Sequence, residues 1–294
     1  MRIKVNGVSL YFEVIGDKLR LVDGKLKEVP TMLVLHGGPG FDHNDLRPYF
    51  DRFADLCQLI YLDHRGNGRS DPGPRDGWNL AQWGDDIAAF SDALEIVDPV
   101  VVGHSFGGFV ALSYMTRYPE RPAKVVLSST SATCSFDRSL AVYRRLGGEQ
   151  AVEAAARFYD DATLENLIDF GSICVPLYHR TAGEGLPARP AIFNPDVLFD
   201  FWRNDVRPRD GALKSFDFRA GLLRTQVPVL VLGGIDDPAC PIEDQEDIAA
   251  MIPGPLAELH RFDACGHGTF HDFPEETELI LRRFLGDGAA RELI

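Results

Sequence analysis

A serine with glycine two residues away on either side is the first feature of this chain that could do chemistry. It lies in Gly103-His104-Ser105-Phe106-Gly107, with a further glycine at 108. An apolar run ends at Val102 and a helical pattern begins right after the serine, which is the strand–turn–helix setting of a nucleophile elbow. In so sharp a turn the flanking backbones nearly touch, so small residues are needed on both sides. Ser105 Oγ would then stand above the sheet at the positive end of the following helix. The five-residue pattern arises by chance in roughly one chain in ten of this composition, so its context has to carry the assignment.

A serine hydroxyl is a poor nucleophile at neutral pH and needs a base, itself oriented by an acid. After such an elbow the acid and then the histidine follow in chain order, each on a loop past a strand. Of eight histidines, three (260, 267 and 271) follow the last buried apolar run. His260 sits within the alternating Glu258-Leu259-His260-Arg261-Phe262 and reads as a strand residue. His267, in the flexible Cys265-Gly266-His267-Gly268, is the expected base, ahead of His271. The acid comes from Gly233-Gly234-Ile235-Asp236-Asp237-Pro238, where spacing from Gly234 favours Asp237; Asp236 would cap the following turn. Adjacent aspartates in an extended loop point apart, which argues against a glycosidase-type carboxylate pair. An oxyanion needs preorganised N–H donors. Phe106, next to the serine, supplies one, and Gly38 in His36-Gly37-Gly38-Pro39-Gly40 is expected to supply the other. That glycine cluster lacks the Lys-Ser/Thr of a phosphate-binding loop and the G-x-G-x-x-G spacing, so it does not read as a nucleotide site.

These loops need strands and helices to hold them. Short apolar runs at 32–35, 59–62, 100–102, 125–127 and 229–232 have the length of strands buried on both faces. Between them lie helical patterns: 83–97, with Trp83, Ile87, Phe90, Leu94 and Val97 on one stripe, and 106–117, stopped by Tyr118-Pro119. The alternation predicts an α/β fold with a doubly wound, mostly parallel sheet. Two hairpins precede it, one around Asn6-Gly7 and one around Asp23-Gly24, both expected at one sheet edge. From about 131 to 220 no buried strand is visible. Helical patterns at 150–159 and 164–170, many aromatics, and Pro or Gly at 176, 183, 185, 187, 190 and 195 predict an inserted, mainly helical lid. Residues 1–130 and 221–294 would form the core. Phe136, Tyr143, Phe170, Tyr178, Phe199 and Trp202 are the candidate walls of a substrate pocket, although aromatics at helical spacing also serve as lid core.

Composition narrows the partners. Asp and Glu outnumber Lys and Arg 44 to 30, a formal net charge of -14, so nucleic-acid phosphates and anionic lipid are repelled. Five scattered cysteines form no C-x-x-C pair, which argues against a disulfide framework or a cysteine zinc site. The first residues lack an apolar signal region and no apolar stretch approaches the ~18 residues that span a bilayer. The expectation is a reduced cytoplasmic protein with no metal or cofactor, acting on a small molecule or short peptide. Cys240 and Cys265, close to the candidate acid and base, are expected to be buried and inert.

Five segments together resemble the proline iminopeptidase branch of the α/β-hydrolase superfamily. They are His36-Gly37-Gly38-Pro39-Gly40, Asp63-His64-Arg65-Gly66-Asn67-Gly68-Arg69-Ser70, the elbow, Gly234-Ile235-Asp236-Asp237 and Gly266-His267. The likeness covers about 1–130 and 221–294. It implies Ser105 as nucleophile, Asp237 and His267 as its partners, and Gly38 and Phe106 as oxyanion donors, in line with the residues read alone. The turn at 63–70 reads as a wall beside the site. Iminopeptidases typically carry a Trp-x-x-Trp-Glu-like lid segment and lid carboxylates for the substrate amine. This chain has a single lid tryptophan, Trp202, and scattered acids: Asp160, Asp161, Glu165, Asp169, Asp196 and Asp200. The expected activity is therefore hydrolysis of a small-molecule ester, lactone or amide; the alternative is release of N-terminal proline from peptides. Ser105 at the elbow excludes the aspartate-nucleophile chemistry of epoxide hydrolases and haloalkane dehalogenases.

Overall fold

Alternate residues of each central strand serve opposite faces of one sheet, as buried β-branched and leucine runs must. In the computed structural model, Leu33 and Leu35, Val101, Val125 and Leu127, Val229 and Val231 enter one core; Met32 and Val34, Val100 and Val102, Val126, Leu230 and Leu232 enter the other. All of them are at most 3% exposed. At about 1.5–3 kcal/mol for each buried aliphatic side chain, this layer dominates the stability of the scaffold under the site. The structure describes residues 1–22, 24–181, 190–202 and 215–286. The expected glycine and proline breaks at 183, 185 and 187 lie outside them.

The strands are β1 (Arg2–Val5), β2 (Val8–Ile15), β3 (Leu19–Val22), β4 (Lys25–Glu28), β5 (Thr31–Leu35), β6 (Gln58–Leu62), β7 (Val100–His104), β8 (Lys124–Ser128), β9 (Val229–Gly234) and β10 (Ala257–Phe262). The helices are α1 (Arg47–Phe50), α2 (Leu80–Ala93), α3 (Phe106–Arg117), α4 (Phe136–Asp160), α5 (Leu164–Ile173), α6 (Pro195–Trp202), α7 (Arg219–Leu222), α8 (Ile242–Met251), α9 (Thr269–Asp272) and α10 (Pro274–Leu285). Eight strands form a sheet in the order β1-β2-β6-β5-β7-β8-β9-β10, parallel from β6 to β10 and antiparallel at β1 and β2. Helices cover both faces: α2, α3 and α8 pack on the first core, α1 and α10 on the second. This is the doubly wound α/β architecture expected.

Two local expectations need correction. The hairpin at Asp23-Gly24 is not part of the sheet edge. β3 and β4 pair with each other in a separate two-stranded ribbon, with Leu19, Leu21 and Leu26 more than half exposed. Its strands carry too few inward apolar side chains to join a core. The helix expected to reach Val97 ends at Ala93, because Glu95 and Asp98 take left-handed backbone angles and Val97 is left exposed. Its stripe ends in the turn around Leu94, short of Val97.

Between β8 and β9 the described residues hold only helices and one isolated bridge, Thr133 to Asp217. These helices build a hydrophobic cluster of their own around Tyr143, Ala154, Ala155, Phe158, Tyr159 and Phe170. α4 is broken at Gly148, where φ is 67°. α6 faces both ways, sending Val197 and Phe201 into the main core and Leu198 into the helical cluster.

Candidate active site

The central strand β7 delivers Ser105 into a backbone conformation that side-chain-bearing residues rarely adopt, φ 54° and ψ -119°, and α3 starts at the next residue. Strain of this kind persists only where surrounding structure dictates it. Here the dictation is visible. A Cβ on Gly103 would stand 2.4 Å from the Gly107 carbonyl oxygen, and one on Gly107 2.1 Å from that of Leu35. The Ser105 N–H donates to Ser128 O at 2.9 Å, and Thr130 Oγ1 donates to Ser105 O at 2.9 Å. The Phe106 ring is locked beneath, edge-on to Trp83, His64 and Phe201. Its N–H belongs to the first turn of α3, where backbone donors have no intrahelical partner.

The loop after β5 runs directly beside the serine: a Cβ on Gly37 would lie 3.5 Å from Ser105 Cβ. Gly38 has φ 132°, open to glycine alone without strain. His36 holds this loop through both ring nitrogens. Its Nδ1–H donates to Gly37 O at 2.7 Å, and its Nε2 accepts the His64 N–H at 3.2 Å. That pattern requires a neutral ring, and burial accordingly lowers the His36 pKa. Asn67 Oδ1 accepts the Gly40 N–H at 2.6 Å. The turn at 63–70 is thus more than a wall, since it supplies two of the fastenings of the Gly37-Gly38 loop. Asp63 anchors the turn itself, accepting from His43 Nδ1 at 2.6 Å and from the Arg69 N–H at 2.8 Å. Burial works to raise its pKa, but the hydrogen bond and charge of His43 outweigh that and lower it to about 2.

The acid and the histidine come from loops after β9 and β10. His267 Nδ1 lies 2.9 and 3.0 Å from the two oxygens of Asp237, which is fully buried. The Asp237 carboxylate also accepts the Ala239 and Cys240 N–H groups at 2.9 Å. With Nδ1–H donating to Asp237, the free Nε2 is the basic nitrogen. Asp236 does not cap the turn as expected. It pairs with Arg145 and Arg180 of the helical segment, and the turn donors go to Asp237. Of the other two histidines, His260 binds Glu258 on β10 and His271 lies 3.5 Å from Asp45. Ser105 Oγ makes no hydrogen bond among the described residues; such contacts are commonly long without substrate and tighten with it. The two loops are tied through β8: Ser128 O accepts the Ser105 N–H, and Ser129 Oγ accepts the Gly268 N–H at 2.9 Å.

The six candidate pocket aromatics are spread unevenly. Tyr178 meets His267 edge-on, ring centroids 5.0 Å apart. Tyr143 and Phe170 are buried in the helical cluster; Trp202 stacks on Tyr159, Phe136 lies tilted against it, and Phe199 packs on the same cluster. Cys240 and Cys265 are buried, which pushes their thiols up and away from reactivity. Sequence reasoning missed His36, Asn67, Ser129 and Thr130 as parts of this assembly. Asn67, a polar residue between two glycines, was the only one with a visible local signal. Among the described residues no group of three or more His, Cys, Asp or Glu side chains could hold a metal, and no helix is long and apolar enough to cross a membrane.

The family model described as "Alpha/beta hydrolase family" matches residues 32–278. A proline iminopeptidase of Lactobacillus helveticus (strain DPC 4571) is 26% identical over 306 aligned residues, covering 95% of each chain. A protein named putative carbamate hydrolase RutD, from Caulobacter sp. (strain K31), is 27% identical over 288, covering 92% of this chain and 98% of that one. The solved structure of Est816, titled as an N-acyl homoserine lactone degrading enzyme, superposes with a TM-score of 0.66 at 22% identity, covering 97% of this chain and all of that one.

Proposed function

The chain belongs to the alpha/beta hydrolase family and is a hydrolase, and from that premise we propose that it cleaves an ester, lactone or amide of a small molecule through a serine-bound acyl intermediate. Ser105 is the nucleophile, His267 the base, Asp237 the acid that orients it, and the Gly38 and Phe106 N–H groups hold the oxyanion. One observation carries the reading. His267 sends Nδ1 to the buried Asp237 carboxylate, leaving Nε2 as its basic atom, while Ser105 stands at a strained strand–helix turn beside Gly37.

The steps follow from these roles. His267 Nε2 takes the Ser105 proton as Oγ attacks the carbonyl carbon, and negative charge develops on the carbonyl oxygen. Preorganised N–H donors stabilise that charge without reorganising during the reaction. The imidazolium then protonates the leaving group. Water, deprotonated by the same nitrogen, releases the acid and frees Ser105. Asp237 keeps the proton on Nδ1 and stabilises the imidazolium. The helices between β8 and β9 are read as a lid over this site, with core residues 1–130 and 221–294 around it. Their separate hydrophobic cluster supports that division.

A second reading, release of N-terminal proline, is favoured by the iminopeptidase relatives and by one atom. Most lid acids named above are exposed or paired: Asp169 with Arg157, Asp196 with Arg75. Asp200 also pairs with Arg75 through Oδ1, but among the described residues its Oδ2 is buried without a hydrogen-bond partner. A substrate ammonium would satisfy it. The test is paired turnover of short-chain p-nitrophenyl esters and proline p-nitroanilide by wild type, Ser105→Ala and Asp200→Asn. Ester turnover that falls by roughly 10⁶ in Ser105→Ala and is unchanged in Asp200→Asn supports the first reading. Proline-anilide turnover that Asp200→Asn selectively removes supports the second, and near-normal turnover by Ser105→Ala ends both.

A further inference from the structure

The helical segment reaches the candidate base through a stretch of main chain as well as through the Tyr178 ring. The Tyr178 carbonyl accepts the His267 N–H at 2.5 Å. Gly266 leaves room for it, since a Cβ there would lie 2.0 Å from that oxygen. One buried side chain then clasps both strands of this junction. Asp272, last residue of α9 and 6% exposed, accepts the Gly266 N–H at 2.7 Å from one side. From the other it accepts the Arg180 N–H at 3.1 Å, the Thr181 N–H at 3.1 Å and the Thr181 hydroxyl at 2.8 Å.

A carboxylate offers about four lone-pair directions, and here four donors converge on it, with the Arg180 N–H shared between the two oxygens. Among the described residues Asp272 has no cationic side chain in an ion pair. Its charge is held by N–H and O–H dipoles that converge from two segments 85 residues or more apart in sequence. An ionised acceptor makes such bonds roughly twice as strong as a neutral one would. Burial alone would raise its pKa, and these bonds reverse that and lower it.

We propose that Asp272 is a positioning residue of the hydrolytic reaction, fastening residues 180–181 and Gly266 into one unit so that His267, the next residue, is presented to Ser105 only with the lid segment seated. This rests on His267 being the base. It adds that the base is held in place by the lid, through a carboxylate that touches neither substrate nor imidazole. A purely structural anchor would affect the stability of the fold and leave the turnover of folded enzyme alone. A positioning residue moves turnover itself, because a displacement of about 1 Å in a catalytic group can cost on the order of 100-fold.

The experiment uses the full chain and p-nitrophenyl acetate, whose small acyl group needs little from a pocket. Asp272→Asn keeps the shape but turns an NH2 toward donors that need an acceptor. The expected result is a kcat lowered about 10- to 100-fold with KM within about threefold, and a shift or loss of the downfield proton resonance of the His267 Nδ1–H. Asp272→Glu, which restores the charge, is expected to recover most of the loss. Thr181→Val removes one donor from the lid side and is expected to lower kcat several-fold; it carries the same test should Asp272→Asn not fold. Wild-type kcat and an unmoved resonance in Asp272→Asn, or in Thr181→Val where that variant stands in, overturn the positioning role. His267→Ala is run in parallel: if it keeps turnover, the base assignment falls and the proposal with it, whereas an inactive His267→Ala beside a fully active Asp272→Asn removes the positioning role alone.

Discussion

Asn67 Oδ1 accepts the Gly40 N–H at 2.6 Å, binding the turn after β6 to the loop proposed to hold the oxyanion. Its amide nitrogen donates to Arg65 O at 2.8 Å, so the side chain is held at both ends and cannot swing away without leaving the buried Gly40 N–H unpaired. Replacement by alanine leaves the Gly40 N–H unpaired and loosens the approach of Gly38 to the substrate. Asn67→Ala is expected to lower kcat on a p-nitrophenyl ester by about 10- to 100-fold with a smaller change in KM, because the lost interaction acts mainly on the transition state. Steady-state kinetics with a thermal melt as control decide it. A variant whose kcat is unchanged would mean that the loop holds its shape without the turn.

The choice between neighbouring aspartates gives a sharper kinetic contrast. Asp237 meets His267 through both oxygens, whereas Asp236 faces Arg145 and Arg180. Asp237→Asn removes the acceptor that keeps the proton on Nδ1, and by analogy with other triads kcat should drop on the order of 10⁴-fold. Asp236→Asn loosens a partly exposed ion pair and should cost less than about tenfold. The opposite ranking would reassign the acid.

How much of this was legible in the chain depends on whether the interaction is local. The elbow, the span of α3 and the five central strands rest on nearest-neighbour signals: glycine spacing, apolar runs, and Tyr118-Pro119 as a stop. Asp237 was reachable because its distance from Gly234 is a property of one loop. Asp272 was not. It reads as one more acid before a helix, and its function depends on Arg180 and Thr181, more than 90 residues away. His36 and His64 were equally opaque, since the bond from one backbone to the other's ring crosses between strands. The end of α2 misled for a different reason, because Val97 continues the apolar stripe in sequence while the chain has already turned away at Glu95.

The elbow also sets a stability contrast between two glycines. Gly107→Ala would drive a Cβ to 2.1 Å from Leu35 O and 2.7 Å from His36 O, both main-chain atoms that cannot move without shifting β5. A cost of about 3 kcal/mol is expected, at the top of the usual overpacking range. Gly171 lies inside α5 with nothing within 4 Å of a new Cβ, so Gly171→Ala should stabilise by about 0.5–1 kcal/mol through helix propensity. Denaturant titration of both variants measures this. Equal effects would show that the close approach at Gly107 is not rigid.

Acid stability offers a test of the network under the loop proposed to hold the oxyanion. The Asp63 carboxyl is fully buried, and His43 lowers its pKa from 3.8 to about 2. A folded-state pKa below the unfolded value means that its stabilisation is complete above about pH 4 and is lost as pH falls through about 2. The difference between 3.8 and about 2 corresponds to about 2 kcal/mol at most. Unfolding free energies of wild type and Asp63→Asn, measured by denaturant titration between pH 5 and 2, should therefore converge as the pH drops. The wild type loses about 2 kcal/mol more than the variant over that window. Parallel profiles would mean that the Asp63–His43 bond contributes nothing that depends on the carboxylate charge.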